Sequence, residues 1–381
     1  MSLVQPPAGE PEVYLDWNAT TPPLPAVVDA MARAASEAWG NPASVHAAGR
    51  RARGLVEDAR EAVALLAGAD PRDVVLTGGG TEANNLALAG APGLAGSRLE
   101  HPSVTRVLES RAALGVPVRF LRVGDTGRVE PEEVARALSE LPRGSVVALS
   151  AVNHETGVVQ PVAEVASVIR AAGARLHVDA VQAAGRLAPE RWRGGDTLAL
   201  SAHKLRGPKG IGALVLAPGT RITPVLLGGS QERGLRPGTV DPVAAAGFGV
   251  AARRAVDGPA RYERLATLRD HLERALGDRV RPNGAASPRA PHVSNVSFHG
   301  VAGDELVAAL DLEGVRVSSG SACSAGTSEP SPVILAMLGA ERARSAVRVS
   351  LGEDTTMEEI IRLLRAIDVV LARLSTRTSS T

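Results

Sequence analysis

Two positions in this sequence offer a primary side-chain amine, Lys204 and Lys209, and both lie in the ten residues SAHKLRGPKG. The other 40 of its 42 lysine-plus-arginine residues are arginine. Arginine performs most surface tasks of a cation, but its guanidinium stays protonated and forms no Schiff base. An ammonium retained against that bias points to chemistry that needs an amine. Lys204 leaves the end of the apolar run TLALSAH, where burial favours the neutral amine and frees its lone pair. A solvated loop lysine is the ordinary alternative, and the arginine bias weakens it.

Other chemistry-bearing residues also sit where apolar runs end. VVLTGGGTEANN passes from a strand into three glycines and a helix start near Thr81. Glycines let a backbone approach an anion, and a helix N-terminus offers free N–H groups and a positive dipole end. A tight strand-to-helix turn explains the same residues. The pattern is neither a Walker A motif nor a dinucleotide fingerprint. HVDAVQAAG puts Asp179 at a strand end, as a partner for a protonated ring nitrogen or a helix cap, with Gln182 three residues on. Ser201 and His203 flank the lysine as phosphate ligands or plain polar loop residues. The sole cysteine, Cys323, lies in the polar stretch SSGSACSAGTSEPS, which suits a mobile nucleophile better than a buried structural thiol. His101, His154 and Arg348 are further candidates, the arginine as a carboxylate fork.

The elements that must position these residues are legible as alternation. Apolar runs at 74–79, 116–123, 145–152, 174–180, 197–203 and 212–218 read as strands, with helical patterns at 130–141 and 160–173 between them. Such alternation implies a mostly parallel, doubly wound α/β sheet, whose ligands lie beyond the strands' carboxyl ends. From about residue 255 the texture changes. A charged helix over 260–277, strands HVSNVSF, VRVSS and AVRVSL, and a last helix after TTMEEI predict a smaller α+β domain with a frayed tail STRTSST. The expected division is an N-terminal segment 1–20 packed with the small domain, a large domain 21–255, and a small domain 256–381 carrying the cysteine loop.

The formal net charge of +1 gives no reason to expect nucleic acid or an anionic membrane as partner. No run approaches a membrane span, and the N-terminus lacks the pattern of a secretory signal. One cysteine excludes an internal disulfide and a cysteine-built metal site, so a cytoplasmic protein with no resident metal is expected.

An anion cradle, a ring-nitrogen acid, a Schiff-base lysine and a thiol, in that chain order, together suit pyridoxal 5′-phosphate. The sequence strongly resembles the cysteine desulfurases of the NifS/IscS-like branch of the class V aminotransferase-like enzymes. YLDWNATTP, GNPASVH, GGGTEANNLAL, EHPSV, HVDAVQ, SAHKLRGPKGIGAL, ERGLRPGT, SSGSACS and VRVSLGEDTTMEEI carry the resemblance over nearly the whole chain. It implies a fold type I pyridoxal-phosphate enzyme that converts L-cysteine to L-alanine and passes the sulfur to an acceptor such as an iron–sulfur scaffold. Selenocysteine lyase or another β-lyase of the same class is the alternative.

In that family's terms Lys204 would bear the cofactor, Asp179 would meet the pyridinium, and Gln182 would approach the ring hydroxyl. Gly80, Thr81, Ser201 and His203 would hold the phosphate, joined by Thr239 from the second subunit of a homodimer. His101 would stack on the ring and shuttle protons. Arg348 would clamp the substrate carboxylate, with His154 touching cofactor and substrate. Cys323 would take the sulfur as a persulfide, and would serve as an iron–sulfur ligand during transfer if it binds metal at all. Two departures stand out. His154 replaces the second Asn of the family's Asn-Asn-Glu, and Pro237 replaces the Ser of Arg-Ser-Gly-Thr, removing an N–H. Lys209 fits only the pattern GPKG.

Overall fold

The computed structural model describes residues 12–320 and 330–378. Twelve strands appear among them: β1 Val13–Tyr14, β2 Val74–Thr77, β3 Leu94–Ser97, β4 Val118–Leu121, β5 Val146–Ser150, β6 Arg175–Asp179, β7 Thr197–Ser201, β8 Gly212–Leu216, β9 Val280–Pro282, β10 Val293–Phe298, β11 Val315–Arg316 and β12 Ala346–Ser350. Seven form the central sheet in the order β2-β8-β7-β6-β5-β3-β4, parallel throughout except for β8, which runs against both neighbours. All five residues of β5, β7 and β8 are buried. Strands covered on both faces read as continuous apolar runs, so their polar residues collect at the ends. Ser150, Asp179 and Ser201 are the last residues of β5, β6 and β7, and Ser150 pairs directly with Asp179.

Six central strands match the apolar runs, and β3 was not among them. Its residues, Leu-Ala-Gly-Ser, carry no β-branched or aromatic side chain, and pairing with β4 and β5 sets its conformation. The helical pattern at 130–141 forms a helix at Pro131–Ser139, and the pattern at 160–173 forms Val162–Ala171, ended by Gly173 at φ 65°. The charged helix expected over 260–277 is two helices, Gly258–Glu263 and Leu265–Leu276. VRVSS contributes only the two-residue β11, which pairs parallel with β1 outside the antiparallel sheet β12-β10-β9. The tail is not wholly frayed: the last helix, Met357–Thr378, takes in its first four residues.

Two buried apolar clusters matter for the site. One packs around the central sheet through Val147, Leu149, Val178, Leu200 and Phe248. The other joins Val13 and Leu15 to Leu265, Leu272, Val296, Val349 and Ile360. The chain's first described residues are thus anchored among its last. Beyond β1, Asp16 bridges Ser350, and Asn18 and Ala19, two and three residues further on, reach the ends of the central strands.

Candidate active site

Beyond those strand ends lies a cavity of about 230 Å³ whose lining includes Asn18, Gly80, Thr81, His101, His154, Asp179, Gln182, Ser201, His203, Lys204 and Arg348. A wider, more open space of about 780 Å³ adjoins it and shares Gly80, Thr81, Ser201 and His203. Lys204 follows β7 in a single 3-10 turn, Ala202–Lys204. Its Nζ donates to the carbonyls of Asn18 and of Ala19, the latter at 2.7 Å. Lys209 is exposed on the wall of the wider space, so the two lysines have different surroundings.

The glycine run places a helix N-terminus at the cavity. Helix Gly80–Leu88 starts straight after Gly79, whose φ of 149° suits glycine, and its first N–H groups have no intrahelical partner. A Cβ on Gly80 would meet Val181 Cγ2 at 2.8 Å, and one on Gly212 would meet Gly79 Cα at 2.7 Å. Only bare backbone fits there. His203 lies at the same end, its Nδ1 3.0 Å from Thr20 Oγ1, with its pKa lowered to about 4 by burial and then by Lys204 and Lys209.

Asp179 accepts hydrogen bonds from Asn84 Nδ2 at 2.8 Å and from the Val181 N–H at 3.0 Å. Turns, not a helix, follow it, so it caps no helix; they still carry Gln182 to the cavity. Gln182 Nε2 donates to the Asn18 carbonyl at 3.0 Å, and its Oε1 accepts from Arg186. Arg186 is 2% exposed and pairs with no carboxylate among the described residues; its guanidinium also reaches Asn18 Oδ1 and the Lys204 carbonyl. Asn18 is therefore a hub for the lysine, the glutamine and Arg186.

His101 caps the helix Pro102–Ala113, its ring accepting from the Ser103 N–H, and Glu100 precedes it in the chain. That buried carboxylate accepts from Ser97 Oγ at 2.7 Å and from the Ser150 N–H at 2.7 Å, tying the ends of β3 and β5 together. The His101 and His154 rings meet edge to face, centroids 5.4 Å apart. Burial lowers the pKa of both, and Lys204 acts in the same direction. Both His154 ring nitrogens are buried with no hydrogen-bond partner among the described residues. Glu155 Oε1 is 3.6 Å from Nε2, but a neutral imidazole makes no ion pair with it. Arg348, 2% exposed, donates from Nη2 to Asp16 Oδ1 at 2.7 Å and from Nη1 to the His154 carbonyl, while its Nε has no partner among the described residues.

Ten sequence candidates thus share one cavity. Thr239 does not line it and is exposed; Cys323 lies outside the described residues. Asn18, Asn84, Ser103 and Arg186 were missed. Asn18 lies in YLDWNATTP and Asn84 in GGGTEANN, yet an amide carries no spacing signal of its own. Chemically the cavity offers an amine, a carboxylate, an anion-binding backbone, neutral imidazoles and a guanidinium.

A family model for aminotransferase class-V matches residues 13–363. A cysteine desulfurase IscS of Dictyoglomus turgidum is 36% identical, the alignment covering 96% of each chain. Another cysteine desulfurase IscS, of an Anaeromyxobacter species, is 41% identical over 93% of this chain and 91% of its own. The crystal structure of a NifS-like protein from Rickettsia africae superposes with a TM-score of 0.85 at 28% identity, covering 95% of this chain and 99% of that one.

Proposed function

This chain belongs to the aminotransferase class-V family and is a pyridoxal 5′-phosphate-dependent cysteine desulfurase, and we propose on that premise that the cavity around Lys204 holds the cofactor while Cys323 takes the sulfur of L-cysteine as a persulfide. The residues fit the group. Lys204 meets an aldehyde, Asp179 a protonated ring nitrogen, and Gln182 a ring hydroxyl. The backbone at Gly80 and Thr81, with Ser201 and His203, meets a phosphate, and Thr239 of a second subunit completes that end. The observation that carries this reading is the unsatisfied His154 ring, buried against the cavity, because buried polar atoms without partners point to a ligand that supplies them.

When bound, the cofactor supplies an electron sink that makes the substrate α-proton acidic. The protein's own residues do the rest. Arg348 and His154 hold the substrate carboxylate, and Asp16 keeps the Arg348 fork in place. The Lys204 amine and His101 move protons beside the substrate. The Cys323 thiolate bonds to the substrate sulfur as the carbon–sulfur bond breaks, and the remainder takes up protons and leaves as alanine. The sulfur passes to an acceptor protein, which we take to be an iron–sulfur scaffold, with Cys323 as a cluster ligand during that transfer. We further propose a cytoplasmic homodimer with residues 21–255 as the cofactor domain and 256–381 with 1–20 as the smaller one. Among the described residues no helix is long and apolar enough to cross a membrane.

The test is Cys323→Ser in the loaded enzyme. It should keep the cofactor's visible band, make almost no alanine from cysteine, and carry no added sulfur by mass spectrometry, whereas the parent gains one sulfur on Cys323. Alanine released at a near-normal rate by the variant would favour a lyase.

A further inference from the structure

The His101 ring has one nitrogen fully committed. Its Nδ1 accepts from the backbone N–H of Ser103 at 3.1 Å and lies 2.7 Å from the Ser103 hydroxyl. A backbone N–H only donates, so Nδ1 carries no proton and the neutral ring carries its proton on Nε2. The hydroxyl is itself oriented. Asn84 Nδ2 donates to Ser103 Oγ at 2.8 Å, which turns the hydroxyl proton toward Nδ1. The same Nδ2 donates to the Asp179 carboxylate, an acceptor only, so the amide cannot flip. Its other end is fixed too: Asn84 Oδ1 accepts from His177 Nε2 at 2.9 Å, and His177 Nδ1 accepts from Thr197 Oγ1 at 2.8 Å. Asn84 and His177 are 1% and 0% exposed, so water does not compete for these bonds.

We propose that Ser103 and Asn84 are positioning residues that fix His101 as the tautomer protonated on Nε2, so that the imidazole meets the substrate as a hydrogen-bond donor. Asp179, the carboxylate assigned to the ring nitrogen, anchors this chain, so one amide, Asn84, serves both the cofactor's partner and the histidine. The division of labour follows from charge and valence. With Nδ1 engaged by Ser103, the neutral ring offers its Nε2–H as a hydrogen-bond donor and has no ready lone pair for the substrate's proton. The first proton therefore goes to the other nearby base, the Lys204 amine, while His101 stays a neutral donor beside it.

The inference rests on the reading that His101 serves the reaction, but its tautomer is measured without turnover. Holoenzyme labelled with ¹⁵N-histidine, the His101 signals identified by their loss in His101→Gln, should show a bare Nδ1 and a protonated Nε2. A protonated Nδ1 in the parent overturns the proposal, whether or not the enzyme proves to be a desulfurase. Ser103→Ala should lower kcat about tenfold, part of the 10²–10⁴ that positioned proton transfer supplies, with the KM for cysteine within about twofold. The Nδ1 resonance should move in that variant, and Ser103→Thr, which keeps the hydroxyl, should restore both. A kcat loss without a change at Nδ1, or neither change, overturns the role of Ser103. If Ser103→Ala does not fold, the parent spectrum decides alone.

Discussion

His154 shows what a single residue concedes for a site. It is buried beside His101, Arg348 and Glu155, and neither of its ring nitrogens has a hydrogen-bond partner among the described residues. An unsatisfied buried polar atom costs about 1–3 kcal/mol. His154→Leu, of similar bulk, should therefore stabilise the cofactor-free protein by about 1 kcal/mol. In the loaded enzyme it should raise the KM for cysteine about tenfold, the worth of one lost hydrogen bond to a charged group. Denaturant midpoints and steady-state kinetics check the two halves, and unchanged values in both would remove His154 from the substrate's contacts. The residue-level chemistry was legible where a side chain stood at the end of an apolar run: Asp179, Ser201 and Lys204 are of this kind. Asn84 and Ser103 were not, because hydrogen-bonding polar residues look alike in sequence whether they face a cavity or water. Arg186 was hidden for another reason: among 40 arginines, one buried with no carboxylate partner among the described residues is indistinguishable until packing is known.

At the level of elements, the sheet's strand ends do the positioning, and one contact keeps two of them in register with the glycine loop. Gly212 opens β8 against β7, and a Cβ there would sit 2.5 Å from the Leu200 carbonyl oxygen and 2.7 Å from Gly79 Cα. Both are backbone atoms, so neither can swing aside. Gly212→Ala should cost about 1–3 kcal/mol of stability, as overpacking does. It should also weaken cofactor binding by pushing Gly79 and the start of Gly80–Leu88 out of place. Absorbance titration with pyridoxal 5′-phosphate reads the second effect; an unaltered affinity would show that the loop does not depend on this contact. The fully buried strands were the easy part of the sequence, since their apolar runs need no periodicity. β3 was not, because Leu-Ala-Gly-Ser has little intrinsic preference and becomes a strand only by its neighbours.

For the molecule as a whole, buried imidazoles set the response to acid. Burial lowers the pKa of His101, His154, His177, His203 and His292, taking His177 and His203 to about 4. A histidine depressed in the folded state leaves the unfolded chain holding more protons, so the stability it confers is complete above about pH 6.5 and disappears as the pH falls toward 4. For His177 alone that amounts to about 3 kcal/mol. Glu100 and Glu155, raised by burial, work the other way and offset part of it. The denaturant midpoint should thus fall between pH 7.5 and 5; a flat profile would mean that the imidazoles are not desolvated as their burial indicates. The first described strand has a consequence of its own for how the molecule comes into being. Asp16 meets Arg348 across 332 residues of chain, and Asn18 lies beside Asp16 at the lysine. A ribosome adding about 5–20 residues per second separates the appearance of those two partners by roughly 15–70 seconds. For that interval the earliest part of the site waits, made but without its counterpart, and the pocket closes only once Arg348 has been added.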